Sequence, residues 1–215
     1  MKLTIVYDNV VCAQGLRLKS DWGFACLIET EVETILFDTG ARGSILLRNM
    51  EKLSINPRSI GKIVLSHEHW DHTEGLKELS SRIDDVELYR LAQQSSAENI
   101  HLLSAEDSQE ITRGVYSTGR LKGPVDEQSL VLQGKKGWYV LTGCSHPGVE
   151  TILTYAQQLG EITGLIGGFH GFHSFSVLEH LDCICPCHCT KYMEDIQKLY
   201  PTAYVSGGVG KYIEI

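Results

Sequence analysis

No stretch of this chain stays apolar for long enough to cross a bilayer. The opening segment, MKLTIVYDNV, is interrupted by Asp8 and reads as a short strand rather than an export signal. Basic residues are outnumbered, with 19 Lys and Arg against 27 Asp and Glu, a net charge of −8. No basic stripe runs along the chain, so broad electrostatic attachment to nucleic acid or to an anionic membrane is not expected. Seven cysteines are an odd number. Without an export signal they read as reduced thiols of a cytoplasmic protein, not as a disulfide framework. There is no linker and no convincing short repeat, so residues 1–215 read as one domain with room for a substantial core. Nothing in the sequence specifies an oligomeric state.

What is present is a strand-rich pattern with helices between. LTIVYD (3–8), WGFACLIE (22–29), ETILFD (33–38) and KIVLS (62–66) predict strands, and Gly43 to Leu53 has helical spacing. Residues 72–82 predict a helix with Leu76, Leu79 and Ile83 on one side. From about 84 to 128 the pattern is polar and predicts no defined element. SLVLQ (129–133) and GWYVLT (137–142) predict a hairpin, followed by a helix from about 148 to 159. ITGLIGG (162–168), CICPC (183–187) and AYVSG (203–207) predict further strands. Two strand-rich halves with interspersed helices imply an α/β domain with two sheets and helices outside.

The segment that carries chemistry is Ser66-His67-Glu68-His69-Trp70-Asp71-His72, at the junction of a predicted strand and a predicted helix. In extended backbone His67 and His69 project to the same side. Two neutral imidazoles so placed suit a cation such as zinc or ferrous iron. Asp71 and His72 follow where the chain turns, aimed at a neighbouring point. A single histidine here would be a satisfied strand-end residue and Asp71 a helix N-cap. Three histidines and an aspartate in six residues argue for a metal site instead.

His-x-His-x-Asp-His after an apolar strand resembles the signature of the metallo-β-lactamase superfamily. Ile35-Leu36-Phe37-Asp38-Thr39-Gly40 resembles its early Asp motif, Thr142-Gly143-Cys144-Ser145-His146 its third motif, and His188 its last ligand. Asp8-Asn9, GGFH (167–170) and HCT (188–190) are similar to the branch of dihydropterin/ribofuranosylaminobenzene-phosphate synthases and related hydrolases.

The resemblance implies an αβ/βα four-layer sandwich, two mixed β-sheets flanked by helices. It implies one or two divalent ions, zinc first, with iron, manganese or nickel as alternatives. His67, His69 and His146 would hold one ion, and Asp71, His72 and His188 the other. Asp38 would orient a ligand or the attacking water, its alternative being a turn residue. The superfamily often supplies a bridging carboxylate between the third-motif and last histidines. In 147–187 the loop candidates are His170 and His173, with no Asp among them, and Asp182, just before the late strand, is a poor fit. His170 is read as a ligand or a proton-transfer residue and His173 as a solvated loop residue. Cys144 and Cys189 read as packing residues near the site. Cys183, Cys185, Cys187 and Cys189 read as one thiol-lined strand face, with a thiolate metal site as the competing reading.

The expected activity is metal-dependent hydrolysis, or a related transfer, of a small, phosphate- or carbonyl-bearing metabolite by a metal-activated water. Asp71, Asp38 and His170 would serve the chemistry beside the ligands. Two other classes compete. One is a non-catalytic metal-binding or sensing module. The other is a di-iron reductase, disfavoured by His69 where that family has Glu and by the lack of room for a flavin domain. Nucleic-acid processing is disfavoured by the acidic balance.

Overall fold

The structure is a computed structural model that describes residues 1–92 and 97–215. The described residues form two sheets. The first contains β1 (Lys2–Tyr7), β2 (Ala25–Glu29), β3 (Thr34–Phe37), β4 (Ile60–Val64), β5 (Val86–Arg90), β6 (Ile100–Ser104) and β13 (Tyr212–Glu214), in the order β13-β1-β2-β3-β4-β5-β6. The second contains β7 (Gln109–Thr112), β8 (Val115–Ser117), β9 (Leu130–Gln133), β10 (Trp138–Thr142), β11 (Ile162–Gly168) and β12 (Cys183–Cys187), ordered β12-β11-β10-β9-β8-β7. Both are mixed: β3 pairs parallel to β4, and β10 to β11 to β12, while β1–β2, β2–β3 and β9–β10 are antiparallel.

The strands are apolar on both faces because each sheet is covered twice. Along β2 and β3, Cys26, Ile28, Ile35 and Phe37 face the second sheet, sharing a cluster with Leu130, Leu132, Leu141 and Ile166. The alternate residues Ala25, Leu27 and Leu36 face outward, packing with Leu46 and Met50 of α1 (Gly43–Lys52) and with Leu79. The second sheet repeats this with Val140, Leu165 and Ile184 against Ile152 of α4 (Val149–Ala156) and Ile196 of α5 (Met193–Leu199). The order of layers is therefore helix, sheet, sheet, helix, the sandwich that the resemblance implied.

Several expectations change in detail. The single helix expected over 72–82 is broken into α2 (Trp70–Thr73), α3 (Leu76–Leu79) and a 3-10 turn at Ser80–Arg82. Gly75, at the break, rests against Thr39, where an added Cβ would lie 2.0 Å from the Thr39 carbonyl oxygen. In numbering order α2 and α3 come between α1 and α4. The polar stretch 84–128 contains β5 to β8, although its residues 93–96 lie outside the described residues. AYVSG (203–207) is not a strand, since Tyr204 makes only one parallel bridge to Ile184. Pro186 lies within β12, tolerated because β12 is an edge strand of its sheet. Cys183, Cys185 and Cys187 face the core between the sheets as expected, but Cys189 lies beyond the strand and points elsewhere.

Candidate metal centre

The predicted site residues all follow the carboxyl ends of strands. Asp38 follows β3, His67 to His72 follow β4, His146 follows β10, His170 follows β11, and His188 follows β12. Hydrogen bonds tie these loops together. The Thr39 N–H and Oγ1 both donate to the His72 carbonyl, and the Gly75 N–H donates to that of Gly40. Across the sheets, the Gln128 N–H donates to the Ser66 carbonyl and its side-chain amide to those of Leu65 and Tyr89.

The five predicted ligand histidines meet in space. The His67 ring centre lies 4.7 Å from that of His69, 4.2 Å from His72 and 4.6 Å from His146. His72 and His188 are 5.0 Å apart, and Asp71 Oδ2 is 3.3 Å from His188 Nε2. His170 stands at the rim, its ring 5.3 Å from His146. Trp22, half exposed, meets His188 edge-on at 5.0 Å. Two ligand groups fall within 4.8 Å each: His67, Cys144 and His146, and His72, Cys144 and His188. His69 flanks the first group and Asp71 the second.

Four of these imidazoles are held in the same way, through Nδ1. His67 Nδ1 meets Ser66 Oγ at 2.8 Å, and His72 Nδ1 meets Asp38 Oδ2 at 2.7 Å. His146 Nδ1 meets Glu127 Oε2 and His188 Nδ1 meets Asn9 Oδ1, both at 2.9 Å. Each ring thereby turns Nε2 inward. The Nε2 atom of His67 is buried and makes no hydrogen bond, and that of His188, also buried, has the Asp71 carboxylate 3.3 Å away. A buried polar atom without a partner is costly, and a cation is what a cluster of inward nitrogen lone pairs would satisfy. The donor set of imidazole, carboxylate and thiol fits a divalent transition metal.

The electrostatics agree. Burial and the neighbouring imidazoles lower His67 and His72 to about 3, so both rings are neutral and able to ligate. Asp38 is fully buried, and burial raises it to about 7 against the pull of His67 and of the Ser66 N–H and hydroxyl it accepts from. Burial also works against Asp71, but contact with His188 and the nearby His72 hold it well below the usual carboxylate range. Strained backbone gathers here too: Asp38, Ser145, His170 and His188 all adopt positive φ, between 46° and 59°.

Two parts of the site had escaped the sequence reading. Glu127 is completely buried and accepts the backbone N–H groups of Gly143, Cys144, Ser145 and His146 as well as the His146 ring. Burial would raise its carboxyl, but the bond to the His146 ring, the His67 imidazole nearby and the backbone N–H groups hold it far below the ordinary value. No local pattern marks it, because its partners are the main chain of a turn sixteen to nineteen residues away. Asn9 belonged to a quoted motif but had no role until the fold placed it on His188. Cys144 also makes more than a packing contact, its Sγ lying 3.2 Å from His72 Nε2 and 3.3 Å from Cys189 Sγ. Asp182 is exposed, and its N–H bonds Thr163 at the far end of β11.

Comparison with known proteins agrees with this architecture. Residues 23–158 match the pattern of the Metallo-beta-lactamase superfamily. The 7,8-dihydropterin-6-methyl-4-(beta-D-ribofuranosyl)-aminobenzene-5'-phosphate synthase of Methanocaldococcus jannaschii is 29% identical over 259 aligned positions, covering 84% of this chain and 88% of the synthase. An uncharacterized protein of the same archaeon is 29% identical, covering 99% of this chain and 100% of its own length. Among solved structures, Tm1679, described as a metal-dependent hydrolase of the beta-lactamase superfamily, superposes with a TM-score of 0.81 at 25% identity, covering 100% of this chain and 99% of that one.

Proposed function

This chain belongs to the metallo-beta-lactamase superfamily, and from that membership and the geometry above we propose that it is a metal-dependent hydrolase, or a related transferase, of a small phosphate- or carbonyl-bearing metabolite. The observation that carries the reading is the convergence of five histidines and Asp71 from both sheets, with the Nε2 atom of His67 buried and unpartnered. His67, His69 and His146 are assigned to one ion, and Asp71, His72 and His188 to a second, zinc being the first candidate.

At such a centre divalent cations supply a nucleophilic water at neutral pH and Lewis-acid polarisation of a carbonyl or phosphoryl oxygen. The chain supplies the positioning. Asp38, bonded at once to Ser66 and His72, fixes the ring orientation of two ligands through one carboxylate. Glu127 does the same for His146. His170 stands exposed at the rim, where partial burial and the neighbouring His146 lower its pKa, and its position suits proton exchange with a bound substrate. The transferase arm is supported by the similarity to a synthase. The aligned length of 259 positions exceeds the 215 residues of this chain, so the synthase carries insertions relative to it. The hydrolase arm is supported by Tm1679.

The test is metal analysis of the purified protein, then assay against phosphodiester, thioester and lactone substrates with and without chelator. The expected outcome is turnover of at least one class that chelator abolishes, with His67→Ala losing both metal and turnover. Metal-loaded protein that turns over nothing across the panel yet binds such ligands would transfer the site to a sensing role.

A further inference from the structure

Cys144 is the one side chain that belongs to both ligand groups. It is buried, on the turn between β10 and His146, and its Sγ sits 3.2 Å from His72 Nε2. The buried, unpartnered Nε2 atom of His67 belongs to the first group, and the buried Nε2 atom of His188, beside Asp71, to the second. Negative charge is scarce at this point. Imidazole ligands bring no charge to a metal, so the carboxylate of Asp71 would be the one anion facing two dications, while Asp38 and Glu127 act only through the far side of the rings. A sulfur at the common vertex answers that shortage, since a thiolate is a strong ligand for transition metals. Cys189 Sγ lies 3.3 Å from the Cys144 sulfur, so a second thiol stands beside the common vertex.

We propose that Cys144 is a metal ligand, its thiolate shared between the two ion positions. The inference rests on the two-ion reading above. On coordination the Cys144 S–H bond breaks, its proton passes to water, and the sulfur lone pairs form the bonds to metal. The other thiols do not compete: Cys26, Cys183, Cys185 and Cys187 face the core between the sheets, and Cys12 lies against Ser206.

The experiment loads the chelated full-length protein with cobalt(II) alone and records its absorption spectrum and the number of ions bound. Thiolate ligation gives a near-ultraviolet sulfur-to-cobalt charge-transfer band that nitrogen and oxygen ligands do not. The band is expected in the unaltered protein, retained in Cys189→Ser and lost in Cys144→Ser, with the visible ligand-field bands still present in the last. Cobalt bound without the band, a band that persists in Cys144→Ser, or one lost in Cys189→Ser, would overturn the role of Cys144 and leave the histidine centre standing. Failure to bind cobalt at all would remove the two-ion reading itself. Should Cys144→Ser not fold, the unaltered protein and Cys189→Ser still decide between these outcomes.

Discussion

A histidine can ligate only through a nitrogen that is both unprotonated and pointed correctly, and here the Nδ1 partners settle both conditions. Glu127 illustrates the cost of removing one. Glu127→Gln leaves a buried cluster of N–H donors without the charge they converge on, which should destabilise the protein by about 3 kcal/mol at pH 7. The pH dependence has a definite sign. A carboxyl whose folded pKa is depressed stabilises fully above its unfolded value, 4.5 for Glu127, and loses that contribution as pH falls through the folded value. Thermal unfolding of the two proteins should therefore show a gap that is widest near neutrality and narrows below about pH 4.5. A gap independent of pH would mean that shape, not charge, is what Glu127 provides. At this scale the sequence disclosed the side chains that converge in space, because three histidines and an aspartate between 67 and 72 form a pattern that can be read locally. It disclosed Asp38 through its motif but not Glu127, whose demand comes from backbone groups that have no residue identity to read.

Among the elements, the reading succeeded wherever apolar runs were long. β11 and β12 were legible to the residue because they are buried on both sides. The stretch from 84 to 128 failed for the opposite reason. β6 to β8 are three to five residues long and partly exposed, so too few positions alternate to form a pattern. The broken helix after His72 was missed because spacing reports apolar faces, not the contact that interrupts them. At that break α3 approaches the Asp38 loop so closely that only a hydrogen fits on Gly75. Gly75→Ala should cost about 1–3 kcal/mol through overpacking, lowering the unfolding midpoint by roughly 2–4 °C for each kcal/mol. Because the same shift displaces His72, metal affinity measured by chelator competition should fall with it. An unchanged midpoint would show that the loop yields freely.

For the whole molecule, the centre is a seam. His67, His69 and His72 stand on the first sheet, and His146 and His188 on the second, so an ion held among them joins the two halves of the sandwich. Zinc at about a hundred times its dissociation constant should add about 2.7 kcal/mol, raising the unfolding midpoint by roughly 5–10 °C. Chelator should reverse the rise, and no rise would mean that the ion binds unfolded chain as well. Among the described residues no helix is long and apolar enough to span a membrane, in keeping with the absence of long apolar runs in the sequence.

Trp22 gives this molecule an optical gauge. Its indole meets the edge of His188, and Trp70 follows His69 directly, whereas Trp138 packs against Tyr116 at the start of β10, the end of that strand away from His146. Indole emission is quenched or shifted by a charge brought nearby, so filling the centre should change the fluorescence of the native protein without any added dye. Trp22→Phe should remove most of that change and Trp138→Phe little of it, and the reverse would place the responding indole elsewhere.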